Sequence, residues 1–190
     1  MKLFLLLIVI IAAMKAKAED KADKNIYSGG MHILQPSLVN LTNQYGDYST
    51  IGSGIGGIMR FYIGSNFAAG IYGGSLRANY DTEGSENSYV NLGHGGLFIG
   101  FTQKYNRWRF NASAGVGRGS LKNLHIEQQQ GSELLNANLF DTSAIVYVPF
   151  GGFDYEITKR LLFTTQISYF MADNMNYQNT VLQIGLLFNR

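Results

Sequence analysis

Residues 108–117 read Trp-Arg-Phe-Asn-Ala-Ser-Ala-Gly-Val-Gly and carry the clearest structural pattern in the chain. Its even-numbered positions are apolar from Trp108 to Val116, whereas the odd-numbered positions carry Arg109, short polar side chains or glycine. Successive side chains of a β-strand point to opposite faces, so the alternation predicts a strand with one apolar and one polar face. Nothing after residue 18 shows a sustained apolar period of 3.6 residues. The chain is therefore predicted to be all-β.

The same alternation recurs along the rest of the chain. It is clear at 54–63, 161–171 and 181–188. Noisier segments lie at 26–38, 67–80, 88–104 and 143–157. The alternation changes phase around residues 93–96, so a β-bulge is expected there. Pro149 cannot donate a ladder hydrogen bond, so a second bulge is expected at Pro149 or at Gly151 and Gly152. Together with 108–117, these segments predict eight strands.

The connections between these strands alternate in length. Short polar turns lie at 64–66, 105–107 and 158–160, and longer polar links lie at 39–49, 81–87, 124–138 and 172–178. An even number of antiparallel strands with short turns at one rim and longer loops at the other is typical of a transmembrane β-barrel. The sequence predicts an eight-stranded antiparallel up-and-down transmembrane β-barrel.

Composition and the polar strand faces indicate which side of the barrel faces lipid. Charged residues make up 15% of the chain, against about 25% in soluble domains, and there are 23 glycines. A soluble eight-stranded barrel would place its apolar face inside. Here the polar face combines glycine with long charged side chains, which suits a narrow lumen. The apolar faces are therefore predicted to contact lipid, where the sheet must close because no water satisfies a free edge.

Four charged residues fall on the predicted lumen faces near the short-turn rim. They are Arg60, Arg109, Asp154 and Glu156. Isolated charges in a dry interior are costly, whereas paired charges are tolerated. We expect an Arg–carboxylate cluster that fills this half of the lumen. A charge-selective constriction is the alternative, but eight strands leave an interior that side chains just fill.

Aromatic residues near the strand ends predict two interfacial girdles. At the short-turn ends these are Tyr105, Trp108, Tyr155 and Phe188. At the long-loop ends they are Tyr80, Tyr89, Tyr169 and Tyr177.

The N-terminus has the features of an export signal. A positive start, an apolar run at residues 3–13 and a small-x-small site at 16–18 predict a signal peptide over 1–18, a short segment at 19–25 and a barrel domain at 26–190. The apolar run is too short to span a membrane as a helix. Removing residues 1–18 changes the formal net charge from +2 to about −1. No basic surface of the nucleic-acid-binding type is expected.

Few residues are of the types that carry chemistry. The chain has no cysteine, which excludes disulfides, thiol catalysis and a lipoprotein anchor. His32, His94 and His125 lack metal-ligand spacing, so neither a metal nor any other cofactor is expected. Ser120, His125 and Glu127 could supply a catalytic triad near a long loop, which keeps an enzyme open as an alternative.

The export signal, the eight strands and the alternating loop lengths resemble small outer-membrane β-barrels of the OmpA/OmpX type. The resemblance implies a location in the outer membrane of a diderm bacterium, among outer-membrane lipids and lipopolysaccharide. It also implies that the last strand is read by the barrel assembly machinery, through Leu182, Ile184, Leu186 and Phe188.

Three functions are compatible with that resemblance. The first is a non-enzymatic structural or adhesion role through external loops, above all 124–138, with a side-chain-filled lumen. A lipid A-modifying enzyme and a small-solute pore are the alternatives. The external ligand and the oligomeric state remain open at this point.

Overall fold

A computed structural model describes residues 26–131, 133–172 and 177–190. The signal peptide predicted at 1–18 and the segment at 19–25 lie outside these residues, as does most of the link predicted at 172–178. Within the described ranges there is no helix long and apolar enough to cross a membrane.

The described residues form nine antiparallel strands in one closed sheet. They are β1 (Tyr27–Leu34), β2 (Ser37–Asn43), β3 (Gly46–Ile63), β4 (Phe67–Thr82), β5 (Ser85–Tyr105), β6 (Trp108–Gln130), β7 (Glu133–Thr158), β8 (Leu161–Ala172) and β9 (Tyr177–Asn189). From β3 to β9 each strand pairs with the next along the chain. Both β1 and β2 pair with β3 on one side and β9 on the other, which closes the ring.

Strands β1 and β2 share one position in the barrel. The register of β1 against β9 shifts between His32 and Leu34, which marks a β-bulge. Pro36 follows and has no N–H to donate, although its carbonyl accepts a hydrogen bond from the Leu182 N–H at 3.0 Å. The predicted first strand is thus divided in two. With eight positions around the ring, the predicted eight-stranded up-and-down barrel is confirmed.

The turns at one rim match the predicted short turns. They lie at residues 64–66, 106–107 and 159–160, and we call this end the short-turn rim. Gly64 and Asn106 adopt positive φ values of 65° and 54° there. Asn is among the few non-glycine residues that tolerate this conformation, which explains its place in a two-residue turn.

The long loops predicted at 39–49, 81–87 and 124–138 are wrong. The strands continue through most of these residues and are joined by tight turns at 44–45, at 83–84 and around Gly131. Strands β6 and β7 reach 23 and 26 residues, whereas a tilted strand needs about 9–11 to cross a bilayer. More than half of the β6–β7 hairpin therefore extends beyond the membrane.

The predicted inside and outside faces are confirmed in the half nearer the short-turn rim. Ile99, Phe101 and Phe110 point outward and are exposed, while Arg60 and Asp154 point inward and are buried. Large apolar side chains on the outer wall form a continuous band, which in water would be an unusually large apolar patch. The band is the lipid-facing surface of the transmembrane section.

The bulges predicted near residues 93–96 and near Pro149 or Gly151–Gly152 are absent from the described strands. β5 keeps one register with β6 from Tyr89 to Tyr105, and β7 keeps one register with β6 through Pro149 and Gly152. The alternation of side chains does not slip at either of these two places. Instead, the apolar side chains pass from the outer face of the barrel wall to the inner face. In the sequence this exchange looks like a shift of the alternation by one residue.

This exchange begins at a row of four residues that are cross-strand neighbours. The row runs across four strands through Arg77, Asn91, Lys122 and Asp141, all of which point outward. From about the level of this row upward, apolar side chains dominate the interior, although Asn123 and His125 also point inward and are buried. The apolar side chains include Val39, Leu41, Leu76, Ala78, Val90, Leu92 and Leu121. This upper section resembles a water-soluble barrel, with a hydrophobic core inside and mainly polar side chains on the outer faces of β4, β5 and β6.

Candidate functional site

The charged residues predicted inside the lumen lie in the transmembrane section. Arg60 on β3 and Asp154 on β7 reach each other from opposite walls, where Arg60 Nη1 donates to Asp154 Oδ2 at 2.5 Å. Arg60 Nη2 also donates to Gln166 Oε1 at 2.8 Å. The two charged side chains are 2% and 0% exposed. An ion pair that crosses the lumen in this way ties two distant strands together.

Neutral polar side chains on β8 and β9 extend this ion pair through further hydrogen bonds. Gln166 Nε2 donates to Gln183 Oε1 at 2.6 Å, and the same oxygen accepts a hydrogen bond from Ser168 Oγ at 2.6 Å. All three residues are buried. Hydrogen-bonded neighbours of this kind reduce the cost of holding a charge away from water. We call Arg60, Asp154, Gln166, Ser168 and Gln183 the lumen network.

Arg109 lies beside this network, and Glu156 lies closer to the rim. Arg109 is directly opposite Asp154 in the β6–β7 register, and its guanidinium sits over the Tyr62 ring at 4.0 Å. Glu156 instead pairs with Lys104, at 3.3 Å between Nζ and Oε2, where both side chains are partly exposed. The structure thus brings three of the four predicted residues together. Lys104 could not be identified from the sequence, because the apparent phase change in β5 hid its inward position.

Aromatic and histidine side chains occupy the lumen above the network. His94 lies 4.4 Å from Phe170 between ring centroids, and Phe98 lies 5.2 Å from Phe150. A small cavity of about 10 Å³ lies against His94, Phe150 and Phe170, roughly what one water molecule needs. No group of three or more metal-ligating side chains occurs in the described part of the chain.

One glycine shows why the lumen faces need small residues. Tyr72 points inward from β4 and crosses to the wall formed by β6. A Cβ added to Gly115 would come within 2.8 Å of Tyr72 Cε1. Gly115 therefore leaves room for the tyrosine ring, as the combination of glycine and bulky residues on one face predicted.

The two predicted aromatic girdles have different outcomes. The four residues at the short-turn rim point outward, and Trp108 packs against Tyr155 at 4.8 Å between ring centroids. At the other end Tyr89 and Tyr169 point outward, but Tyr80 and Tyr177 are buried inside the barrel. The second girdle is therefore only half correct. The exchange of polarity explains the error, because beyond the bilayer apolar rings belong inside.

The turn between β2 and β3 covers the mouth of the upper section. Tyr45 at the tip of this turn stacks on His125 of β6, with 4.0 Å between ring centroids and 4° between planes. Asn138 Nδ2 on β7 donates to Tyr45 Oη at 2.8 Å. These contacts join one wall to another three positions away around the ring. The tyrosine acts as a lid over the lumen.

Titratable groups at the mouth are shifted by their surroundings. Burial lowers the pKa of the His125 imidazole below its ordinary value, and the nearby Glu127 carboxylate acts in the opposite direction. Burial also raises the pKa of the Tyr80 hydroxyl to about 12. Tyr80 Oη donates to Asn123 Oδ1 at 2.7 Å and lies 3.3 Å from His125 Nδ1. At neutral pH the mouth is built from neutral rings and amides around one carboxylate.

The residues considered as a catalytic triad do not come together. Ser120 lies on the outer face of β6, where its hydroxyl donates to Asp141 Oδ1 at 3.3 Å, whereas His125 points into the barrel. Glu127 accepts hydrogen bonds from the side-chain amides of Asn136 and Asn138. The odd spacing between residues 120 and 125 already places them on opposite faces of a strand.

One feature of the upper section was missed because residues 124–138 were predicted to be a loop. Strands β8 and β9 are short, and pairing between β7 and β8 begins only at Val146 and Ala172. Residues 133–145 of β7 therefore pair with β6 alone among the described residues. We call this unpaired side of residues 133–145 the free edge.

Comparison with known proteins identifies the fold. No family model and no curated protein sequence matches the chain. Among solved structures, Ail of Yersinia pestis, solved in complex with a heparin analogue, has a TM-score of 0.52 at 14% identity over 87% of this chain and 97% of its own. Neisserial surface protein A has a TM-score of 0.55 at 10% identity over 90% and 100%. The fold is that of the small outer-membrane β-barrels.

OprG of Pseudomonas aeruginosa supports the same conclusion. It has a TM-score of 0.54 at 13% identity, over 87% of this chain and 95% of its own. Identities of 10–14% establish a shared fold and carry no ligand or activity across. The proteins in this group share a barrel, and the function of this chain must be argued from its own residues.

Proposed function

We propose that this chain is a non-enzymatic, non-conducting barrel of a bacterial outer membrane that displays the β6–β7 hairpin outside the cell for binding. The observation that carries the proposal is that one molecule combines a lumen filled by side chains with a hairpin that extends far beyond the lipid-facing band. A transport protein needs an open lumen. A binding protein needs a rigid structure held away from the membrane.

Three successive layers of side chains support a lumen that does not conduct. The lumen network lies nearest the short-turn rim. His94, Phe98, Phe150 and Phe170 lie above it, beside a cavity of about 10 Å³, and the apolar core of the upper section follows. Tyr45 covers the mouth. Ions would have to cross both a buried ion pair and a hydrophobic core, and the second alone excludes them by dewetting. Arg60, Arg109 and Asp154 thus act as part of a plug, with Glu156 at its edge.

The orientation and export of the chain belong to the same proposal. Short turns face the periplasm in barrels of this type, which supports an orientation with the hairpin outside the cell. Residues 1–18 act as the cleaved export signal. Leu182, Ile184, Leu186 and Phe188 all point outward on β9, where assembly machinery can read them while the last strand is still unpaired.

The boundary between the two sections suits a charged lipid surface. Arg77, Arg118 and Lys122 point outward just above the apolar band and are exposed. Lys122 lies 3.7 Å from Asp141, and Arg77 lies over the Tyr89 ring at 4.1 Å. We infer that these side chains contact the phosphates of outer-leaflet glycolipid, including lipopolysaccharide.

Two measurements test the proposal. Purified protein in a planar bilayer should give no conductance steps, and a variant that combines Asp154→Ala with Leu92→Ala and Leu121→Ala serves as an opened reference. Protease added to intact cells should cut within the β6–β7 hairpin. Steady wild-type conductance, or a hairpin protected on intact cells and cut only after the outer membrane is broken, would contradict it.

A further inference from the structure

The free edge of β7 leaves main-chain groups that have no partner strand among the described residues. Alternate residues of an antiparallel strand turn their N–H and C=O groups toward opposite neighbours, so about half of those between 133 and 145 point away from β6. Proteins usually blunt such an edge with lysine, proline or a covering loop. Residues 134–140 contain neither charge nor proline, and Leu134, Leu135 and Leu139 are more than half exposed.

The adjacent edge of the same hairpin is treated differently. Thr82 Oγ1 donates to the Ile126 carbonyl at 2.5 Å, and the Ile126 N–H donates to Ser88 Oγ at 3.0 Å. Side chains near the β4–β5 turn thus satisfy the main chain of β6 where β5 no longer pairs with it. Among the described residues no comparable contact covers the main chain of β7 over 133–145. The two edges of the hairpin therefore differ, because side chains cover the main chain of β6 but leave that of β7 uncovered among the described residues.

The sequence of the free edge reads almost the same in both directions. Residues 134–140 are Leu-Leu-Asn-Ala-Asn-Leu-Phe, which is symmetric about Ala137 except that Leu134 faces Phe140. In an antiparallel pair of identical segments, Asn136 would lie opposite Asn138 and Leu135 opposite Leu139. Amide then meets amide and apolar meets apolar across the strands. Pairing with β6 is irregular at Glu127 and Leu135 but regular from Ala137 to Asp154, so the centre of symmetry borders the regular part of the strand.

We propose that the free edge pairs, antiparallel, with the same edge of a second copy of this chain that is anchored in a facing membrane. The proposal rests on the function proposed above and names the partner of the external hairpin. The edge extends the sheet of one barrel into that of another, so that main-chain hydrogen bonds supply the attraction and the symmetric side chains supply the register.

Strand direction decides between the same membrane and a facing one. β7 descends from the hairpin tip toward the membrane, and barrel strands tilt by about 35–45° from the membrane normal. Two copies in one membrane both descend, so their β7 strands can differ in direction by at most about 90°. Antiparallel pairing needs nearly 180°. Only copies that face each other from two cells meet that requirement, and the result is adhesion between cells of the same kind.

A single cysteine at the centre of symmetry tests this pairing. The chain has no cysteine, so Ala137→Cys creates the only thiol. Directly opposed residues of an antiparallel pair lie about 4.5–5.5 Å apart between Cα atoms, which a disulfide can bridge. Two cell populations would each express the full chain with a different tag, and would then be mixed and exposed to a mild oxidant. We expect a disulfide-linked dimer that carries both tags.

Two features of this experiment separate the possible failures. Gln128→Cys lies on β6 of the same hairpin and should give no mixed dimer. On dispersed cells, a membrane-impermeant maleimide should label both cysteine variants. This labelling checks that the hairpin is outside the cell. Labelling without a mixed dimer overturns the pairing but not the proposed function, whereas no labelling overturns both. Dimers confined to one cell, or disulfides to a different protein, also overturn the pairing.

A charge exchange at the same position gives an independent readout. Because residue 137 faces its own copy, Ala137→Lys places like charges opposite each other, and so does Ala137→Glu. We expect wild-type cells to clump, cells with either variant alone not to clump, and a mixture of the two variants to clump again. The matched control Gln128→Lys should clump like wild type. Wild-type cells that do not clump, or variants that clump alone or fail to recover when mixed, would overturn the proposal.

Discussion

The substitution Asp154→Ala removes the carboxylate at the centre of the lumen network. It leaves Arg60 and Arg109 buried, at 2% and 5% exposure, with no carboxylate between them. Breaking a buried ion pair from one side costs about 3–5 kcal/mol, because the remaining charge is left away from water. Arg60 keeps its hydrogen bond to Gln166, which favours the lower end of that range. A loss of about 3 kcal/mol lowers the folding equilibrium constant by more than about a hundredfold.

Two variants serve as controls for this loss. Glu156→Ala removes a carboxylate whose pair with Lys104 is partly exposed, and such pairs contribute about 0–1 kcal/mol. Adding Arg60→Leu to Asp154→Ala removes the buried guanidinium that lost its carboxylate, whereas Arg109 keeps Glu156 within electrostatic range. The double variant should therefore be more stable than Asp154→Ala alone.

The chain has one tryptophan, which gives a simple assay. Trp108 lies on the outer wall near the short-turn rim, so its fluorescence reports whether the barrel is folded in detergent or lipid. Urea titrations of the four proteins would give their free energies of unfolding. If Asp154→Ala unfolds within about 1 kcal/mol of wild type, or no earlier than Glu156→Ala, the lumen network does not stabilise the barrel as described.

Three further predictions concern the two sections of the barrel. Ile99→Arg should hinder folding into vesicles by about 2–4 kcal/mol because the side chain faces lipid, whereas Asn91→Arg on the same strand should not, and equal effects would contradict the assigned boundary. Leu92→Ala should lower the free energy of unfolding by about 2–5 kcal/mol because Leu92 is fully buried in the upper core, and a change below about 1 kcal/mol would contradict that core. An NMR titration of the His125 imidazole should give a midpoint below the ordinary value of 6.5. The contribution of His125 to the free energy of unfolding is then complete above pH 6.5 and falls as the pH drops below 6.5. A midpoint above 6.5 would show that the Glu127 carboxylate outweighs burial.

The transmembrane section could be predicted from the sequence because its signal is strong and local. In residues 108–117 every second side chain is apolar, and lipid outside with a narrow lumen inside allows only one assignment of faces. The short turns were equally clear, since residues 64–66 and 106–107 carry Gly and Asn where positive φ is needed.

The upper section could not be predicted from local pattern. Residues 124–138 are rich in Gln and Asn, which is also typical of loops, and only the long pairing of β6 with β7 makes them strands. In β5 the apolar positions pass from the outer face at Leu97 to the inner face at Leu92. A period-2 pattern cannot distinguish that exchange from a one-residue slip, so a bulge was predicted in its place.

The candidate site divides in the same way. Arg60 and Asp154 could be placed inside because a charged side chain on a transmembrane strand is costly when it faces lipid. Their direct contact across the lumen depends on the closure of the ring, which no local pattern encodes. Tyr80 was misplaced because a ring near a strand end suits both an interfacial girdle and a hydrophobic core.

Thiol accessibility along the outer face of β5 tests the two-section barrel most directly. Single cysteines would replace Phe101, Ile99, Leu97, Asn91 and Tyr89 in turn, and folded protein in vesicles would be treated with a water-soluble maleimide. The first three positions should be protected by lipid and the last two should react, with the boundary between Leu97 and Asn91. Uniform reaction along β5, or protection that extends to Tyr89, would contradict the account.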